Sequence, residues 1–199
     1  KVYLMTKTVT FYFDYGSPAT YLAWTQIKTI IEEANATLNM VPILLGGVFK
    51  KTGNASPATV PAKGKWMNND LKKHSKIYNV EFNSNSFFPI NTLNLMRGAI
   101  AAKTMNIFQE YSEAIFTGIW VKDLNLGDLS VLQDYLEKNK IDTKKLFDLV
   151  QSDEVKTMLI QNTKEAVEQG VFGAPTFIID NELIFGQDRL NFIKLALKL

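Results

Sequence analysis

The stretch Phe11 to Trp24, FYFDYGSPATYLAW, constrains this chain more than any other. Phe11-Tyr12-Phe13 is a short aromatic run of the kind that forms a buried strand, and Asp14-Tyr15-Gly16 breaks it with a turn. Ser17 stands where a helix N-cap belongs and Pro18 in the first helical turn. Ala23, Ile27, Ile30, Ile31 and Ala34 then recur at helical spacing. A strand that runs through a small-residue turn into a helix aims unpaired backbone N–H groups at one point, which suits an anion such as a thiolate.

Composition limits what can happen at that point. Among 199 residues there is no cysteine and one histidine, His74. That removes disulfides, cysteine nucleophiles and thiolate metal sites, and leaves little material for a catalytic triad or a multi-histidine metal site. The formal net charge of +2 with no long run of like charge does not suit a nucleic-acid partner. No apolar stretch reaches the roughly 18–20 residues of a membrane span, so no membrane partner is expected. The start, KVYLMTK, lacks the apolar core of a leader, which predicts a cytoplasmic protein.

Along the chain, Thr8 to Phe13 reads as a strand, Pro18 to Ala34 as a helix and Leu38 to Leu45 as a second strand. Pro42 places that second strand at a sheet edge. Gly46-Gly47 is read as its end, and Val48 to Gly64 as a long polar loop of the sort that carries function. From Lys65 to Gln169 the period is helical, five or six helices, with Asn91 as one cap and Asp153 opening the last, in which Val155, Met158, Leu159 and Ala166 face inward. After Gly170 come the strand Phe177 to Ile179, a turn at Asn181-Glu182, the strand Leu183 to Phe185, and a final helix opened by Gly186 to Arg189. The order is βαβ, a helical block, then ββα. It predicts an α/β protein, a thioredoxin-like fold with a large all-helical insertion: residues 1–64 and 170–199 form the thioredoxin-like domain and 65–169 the inserted helical domain.

Five motifs, FYFDYGSPATYLA, GGVFKKTGNASPATVPAKG, FPINTLNLMRGAIAA, GVFGAPTFII and FGQDRL, stand in an order and spacing that resemble the 2-hydroxychromene-2-carboxylate isomerase family and its relative, the kappa class of glutathione transferases. The resemblance runs from about Thr8 to the last helix and implies a helical insertion of the DsbA type. Where dithiol relatives carry Cys-X-X-Cys, this chain has Ser17-Pro18-Ala19-Thr20. The resemblance implies glutathione as cofactor, its thiol handled by Ser17, with Asn54 and Lys63 holding parts of the tripeptide. The Ala174 backbone before Pro175 would pair with the peptide as an added strand, and Gln187 and Asp188 would receive the γ-glutamyl end. It also implies a small aromatic substrate, a role in the breakdown of naphthalene-like compounds, and a homodimer. Gly16 and Ala19-Thr20 depart from the commoner pattern beside the reacting centre and bear on the second substrate.

Each of these residues also has a plainer reading. Ser17 could be an N-cap only. Otherwise its hydroxyl and the helix N-terminus would hold a thiolate and lower its pKa from about 8.5. With no histidine nearby in sequence, Ser17 reads as a donor and not as a nucleophile. Pro175 is expected to be cis, exposing the preceding N–H and C=O to a strand-like ligand. Asp188 could cap the last helix as well as meet an α-amino group. Asn54 could be turn chemistry and the lysines Lys50, Lys51 and Lys63 solvated charges. Phe49, Lys50 and Trp66 are taken as contacts of the aromatic substrate, and Phe88 as core. His74, on a lysine-rich helix, reads as exposed and idle. The function expected is a glutathione-dependent isomerase, in which the thiolate adds reversibly to a conjugated carbon. A kappa-like transferase or peroxidase on the same site, and a non-catalytic peptide-binding protein, are the alternatives.

Overall fold

The computed structural model describes residues 6–199, so most of the start read for a leader lies outside the described residues. Strand β1 (Thr8–Phe13) leads into α1 (Pro18–Glu33) and β2 (Thr37–Pro42). Helices α2 (Leu45–Thr52), α3 (Pro61–Ile77), α4 (Leu93–Thr104), α5 (Phe108–Trp120), α6 (Leu129–Lys138), α7 (Thr143–Gln151) and α8 (Asp153–Glu168) follow. The chain closes with β3 (Thr176–Ile179), β4 (Glu182–Phe185) and α9 (Leu190–Leu197). The sheet runs β2-β1-β3-β4, with β1 parallel to β2 and antiparallel to β3, the mixed sheet of a thioredoxin-like fold. Among the described residues no helix is long and apolar enough to cross a membrane.

The alternation of β1 decides the packing. Val9, Phe11 and Phe13 enter the main core, while Tyr12 points to the other face and joins Ile43, Val48, Ala166 and Val171. The Phe11 ring lies 4.5 Å from Phe177 of β3. The inserted helices share that main core. Phe116 of α5 packs 4.8 Å from the Tyr15 ring and 4.9 Å from Trp24 of α1. Tyr15 is pinned at both ends: its hydroxyl bonds Ser112 Oγ at 2.8 Å, and its carbonyl accepts from Trp120 Nε1 at 2.8 Å. The turn that precedes Ser17 is therefore clamped between sheet and insertion.

Three readings of the sequence are corrected. Val48 to Gly64 is not a structureless loop: α2 occupies Leu45–Thr52, a 3-10 turn Pro57–Thr59, and α3 already starts at Pro61. The second strand ends at Pro42, and Gly46-Gly47 lie inside α2. Glycines disfavour helix, yet the buried Val48 and a carboxylate at the helix start hold this one. Met158, read as inward, is exposed on α8. Smaller shifts occur at element ends. Thr92 takes the N-cap place while Asn91 Oδ1 accepts the Leu93 N–H at 3.1 Å, and the hairpin turn is Asp180-Asn181, both with positive φ. Pro42 does sit on an edge strand, where Asn162 Nδ2 donates to its carbonyl at 3.1 Å.

Candidate active site

Ser17 is the N-cap of α1: Thr20 N–H donates to its Oγ at 3.1 Å. Its hydroxyl in turn donates to the Ala174 carbonyl at 2.9 Å. The serine thus couples the helix start to the segment before Pro175, whose Ala174-Pro175 bond is cis. Pro18 has no N–H, and the Ser17 N–H is spent on the Asp14 carbonyl at 3.1 Å. Among the described residues the Ala19 and Ala174 N–H groups carry no hydrogen bond. Two open donors and one rotatable hydroxyl therefore border one cleft, at a helix N-terminus that favours negative charge.

That cleft holds about 670 Å³, within the usual range for small-molecule sites. It brings together Ser17, Phe49, Asn54, Trp66, Ala174, Pro175, Gln187 and Asp188, eight of the residues the sequence singled out. Asn54 Nδ2 donates to the Phe172 carbonyl at 2.8 Å, tying the segment after α2 to the one before Pro175. Trp66 stands at the cleft with 66% of its surface exposed. Lys50, in the last turn of α2, and Lys63, in the first turn of α3, are exposed and do not line the cleft. Phe88, read as core, packs partly buried on the main core against Trp120 and also lines the cleft with Pro89 and Ile90. His74, read as exposed, is half-buried, with Nε2 3.6 Å from Asp70 Oδ2, and Asp70 lines the cleft. Asp188 is paired with Arg189, Nη1 to Oδ1 at 2.8 Å.

Sequence reading passed over Asp14. It is buried, and its carboxylate accepts from the Gly16 N–H (2.9 Å), the Leu45 N–H (2.9 Å) and the Thr92 hydroxyl (3.1 Å). One side chain so joins the Ser17 turn, the first residue of α2 and the entry to α4. Burial raises its pKa above the ordinary carboxylate value, and the bonds from Leu45, Gly16 and Thr92 oppose that rise. Gly16 has no space for a side chain here, since a Cβ would come within 2.8 Å of Thr92 Cγ2 and 3.3 Å of Asp14 Oδ1. A polar residue between an aromatic run and a turn was the one signal available for Asp14.

The profile of the DSBA-like thioredoxin domain matches residues 8–198. The chain is 28% identical over 192 residues to a 2-hydroxychromene-2-carboxylate isomerase of Sphingobium xenophagum, spanning 96% of this chain and 97% of that protein. It is 29% identical over 209 residues to glutathione S-transferase kappa 2 of Caenorhabditis elegans, spanning 92% and 88%. In structure it is similar to 2-hydroxychromene-2-carboxylate isomerase, with a TM-score of 0.85 over 96% of this chain and 94% of that one at 23% identity. It is also similar to Pseudomonas aeruginosa DsbA, with a TM-score of 0.63 over 100% and 86% at 17% identity.

Proposed function

The chain belongs to the DSBA-like thioredoxin domain family, and from that membership we propose that it is a glutathione-dependent enzyme acting on a conjugated aromatic electrophile. The observation that carries the reading is the donor set around Ser17: its hydroxyl and the open Ala19 and Ala174 N–H groups, at the polar end of a largely apolar cleft. When bound, glutathione would supply a soft thiolate nucleophile able to add reversibly to a conjugated carbon. Ser17 would turn its hydroxyl from the Ala174 carbonyl to the sulfur and, with the Ala19 N–H and the start of α1, hold it ionised. The freed Ala174 carbonyl and its N–H would then pair with the peptide as a short added strand. Asn54, Gln187 and Asp188 stand along the same cleft to take the rest of the tripeptide, Asp188 toward its α-amino group. Lys63 does not line the cleft, and the glycine carboxylate would lie toward the open side.

Isomerisation of 2-hydroxychromene-2-carboxylate in aromatic breakdown, the reaction named for one relative, is the specific reaction we propose first. Conjugation, as the names of the kappa relatives state, is the second reading. One observation favours it: among the described residues no Lys, Arg or His lines the cleft to meet a substrate carboxylate. Following glutathione by mass spectrometry during turnover separates the two, because a transferase consumes it and an isomerase does not. No binding of glutathione at millimolar concentration would remove both readings and leave a peptide-binding protein. We also propose a homodimer. Between Val48 and Leu71 no residue is buried, and Val60 and Trp66 are exposed on this arm. Sedimentation velocity should give twice the 22.5 kDa chain mass, and a 22.5 kDa particle would contradict it.

A further inference from the structure

Among the described residues the charged groups lining the cleft are Asp14, Asp70 and Asp188. Asp14 is buried and its carboxylate is taken up by three donors, while Asp188 is paired with Arg189 at 2.8 Å. Asp70 is the one left open. It stands on α3 among Trp66, Met67 and Leu71, which line the cleft from the same face of the helix, and 29% of its side chain is exposed. One turn further on is His74, the single histidine of the chain, with Nε2 3.6 Å from Asp70 Oδ2. An (i, i+4) pair on an open helix face is routine and weak, but this pair borders the cleft. The other ring nitrogen, Nδ1, is buried without a hydrogen-bond partner. The neighbouring Tyr78 spends its hydroxyl on the Gln187 carbonyl at 2.5 Å. The imidazole therefore exchanges protons on the side that faces Asp70. Imidazole is the side chain that gains and loses protons near neutral pH, and the carboxyl beside it opens onto the cleft.

We propose that Asp70 is a catalytic acid–base group for the electrophile, with His74 as its positioning and proton-supplying partner. This deepens the reading above and rests on it. As the C–S bond forms at the conjugated carbon, the C=C pair shifts toward the carbonyl and the C=O π pair comes to rest on oxygen as an enolate. The donors around Ser17 are then occupied by the sulfur, so the enolate takes its proton from the far side of the cleft. That proton passes from His74 Nε2 to the Asp70 carboxylate and from the carboxyl to the enolate oxygen, leaving neutral imidazole and carboxylate. At 3.6 Å the pair is looser than a hydrogen bond, and it would tighten as a ligand excludes water. Water returns a proton to the pair, and the thiol has given its own proton to water, so the balance closes. In reverse, the Asp70 carboxylate removes the proton, the enolate expels the thiolate and glutathione is regenerated, as isomerisation requires.

Two electrophiles separate proton delivery from thiolate supply. Addition of glutathione to trans-4-phenyl-3-buten-2-one takes up a proton, whereas displacement of chloride from 1-chloro-2,4-dinitrobenzene takes up none. The full chain is assayed with both. In Asp70→Asn the ratio of enone to dinitrobenzene kcat/KM should fall about tenfold or more. In His74→Gln the same ratio should fall about threefold or more, and Asp70→Glu, which keeps a carboxyl, should recover part of the Asp70→Asn loss. Circular dichroism checks each fold first, and His74→Gln decides if Asp70→Asn does not fold. An equal loss on both electrophiles, an unchanged ratio, or a change confined to the KM for glutathione would each overturn the proposal. So would a wild type that conjugates the dinitrobenzene and not the enone. A wild type inactive with both removes the reading above and this proposal with it, whereas dinitrobenzene turnover with an unchanged ratio removes this proposal alone.

Discussion

At the residue scale, three neighbours set the site. Gly16 is glycine because Thr92 Cγ2 would lie 2.8 Å from an added Cβ. Gly16→Ala should therefore cost about 1–3 kcal/mol, the usual range for overpacking, read as a lower urea midpoint. An unchanged midpoint would mean that Thr92 yields freely. Asp14 carries a pH signature whose sign is definite. Its folded pKa is raised, chiefly by burial, so between the ordinary carboxylate value and the raised one the native state binds more protons than the unfolded state. Its contribution to stability is then greatest in acid, falls as pH rises through the folded pKa, and stays level above it. The stability of wild type relative to Asp14→Asn, from urea unfolding over a pH series, should fall with rising pH in that window. A difference that rises instead would contradict the assignment. The N-cap place of Ser17 and the place of Asn54 beside the same cleft could be read from their motifs. That of Asp14 could not, because its partners Leu45 and Thr92 stand 31 and 78 positions away.

At the element scale, the apolar wall depends on the segment between α3 and α4. Asn85 holds it: Nδ2 donates to the Ile119 and Leu124 carbonyls at 2.9 and 3.0 Å, and Oδ1 accepts the Phe87 N–H at 2.8 Å. Asn85→Ala leaves these groups unpaired and should cost about 1–3 kcal/mol. Naphthalene-2-carboxamide should also bind more weakly, since Phe88 and Pro89 lose their support; an unaltered affinity would show that the wall stands without Asn85. Strands β1, β3 and β4 and helices α1 and α4–α8 were readable, because apolar period and caps agree there. Helix α2 was not: its glycines argue for a turn, and the carboxylate that caps it comes from another part of the chain. The early start of α3 was masked in the same way, since Val60-Pro61 reads as a turn while Pro61 serves as a first helical residue.

At the scale of the whole molecule, the insertion has no core apart from the sheet. Tyr15, Tyr21 and Trp24 from the first 33 residues pack on Phe116 of α5. Phe116→Ala should remove about 3–5 kcal/mol and leave one cooperative transition; two separate transitions would show that sheet and insertion unfold independently. The division into 1–64 with 170–199 and 65–169 rests on periodicity, which carries no information on which aromatic faces meet. The proposed function rests on Ser17 as the group that would ionise a bound thiol. We would titrate glutathione into wild type and Ser17→Ala across pH, following thiolate absorbance near 240 nm. Wild type should bind glutathione and lower its thiol pKa by about one to two units from the free value near 8.5, while the variant binds without that shift. Binding by wild type with no change in thiol pKa, or an equal shift in the variant, would contradict it.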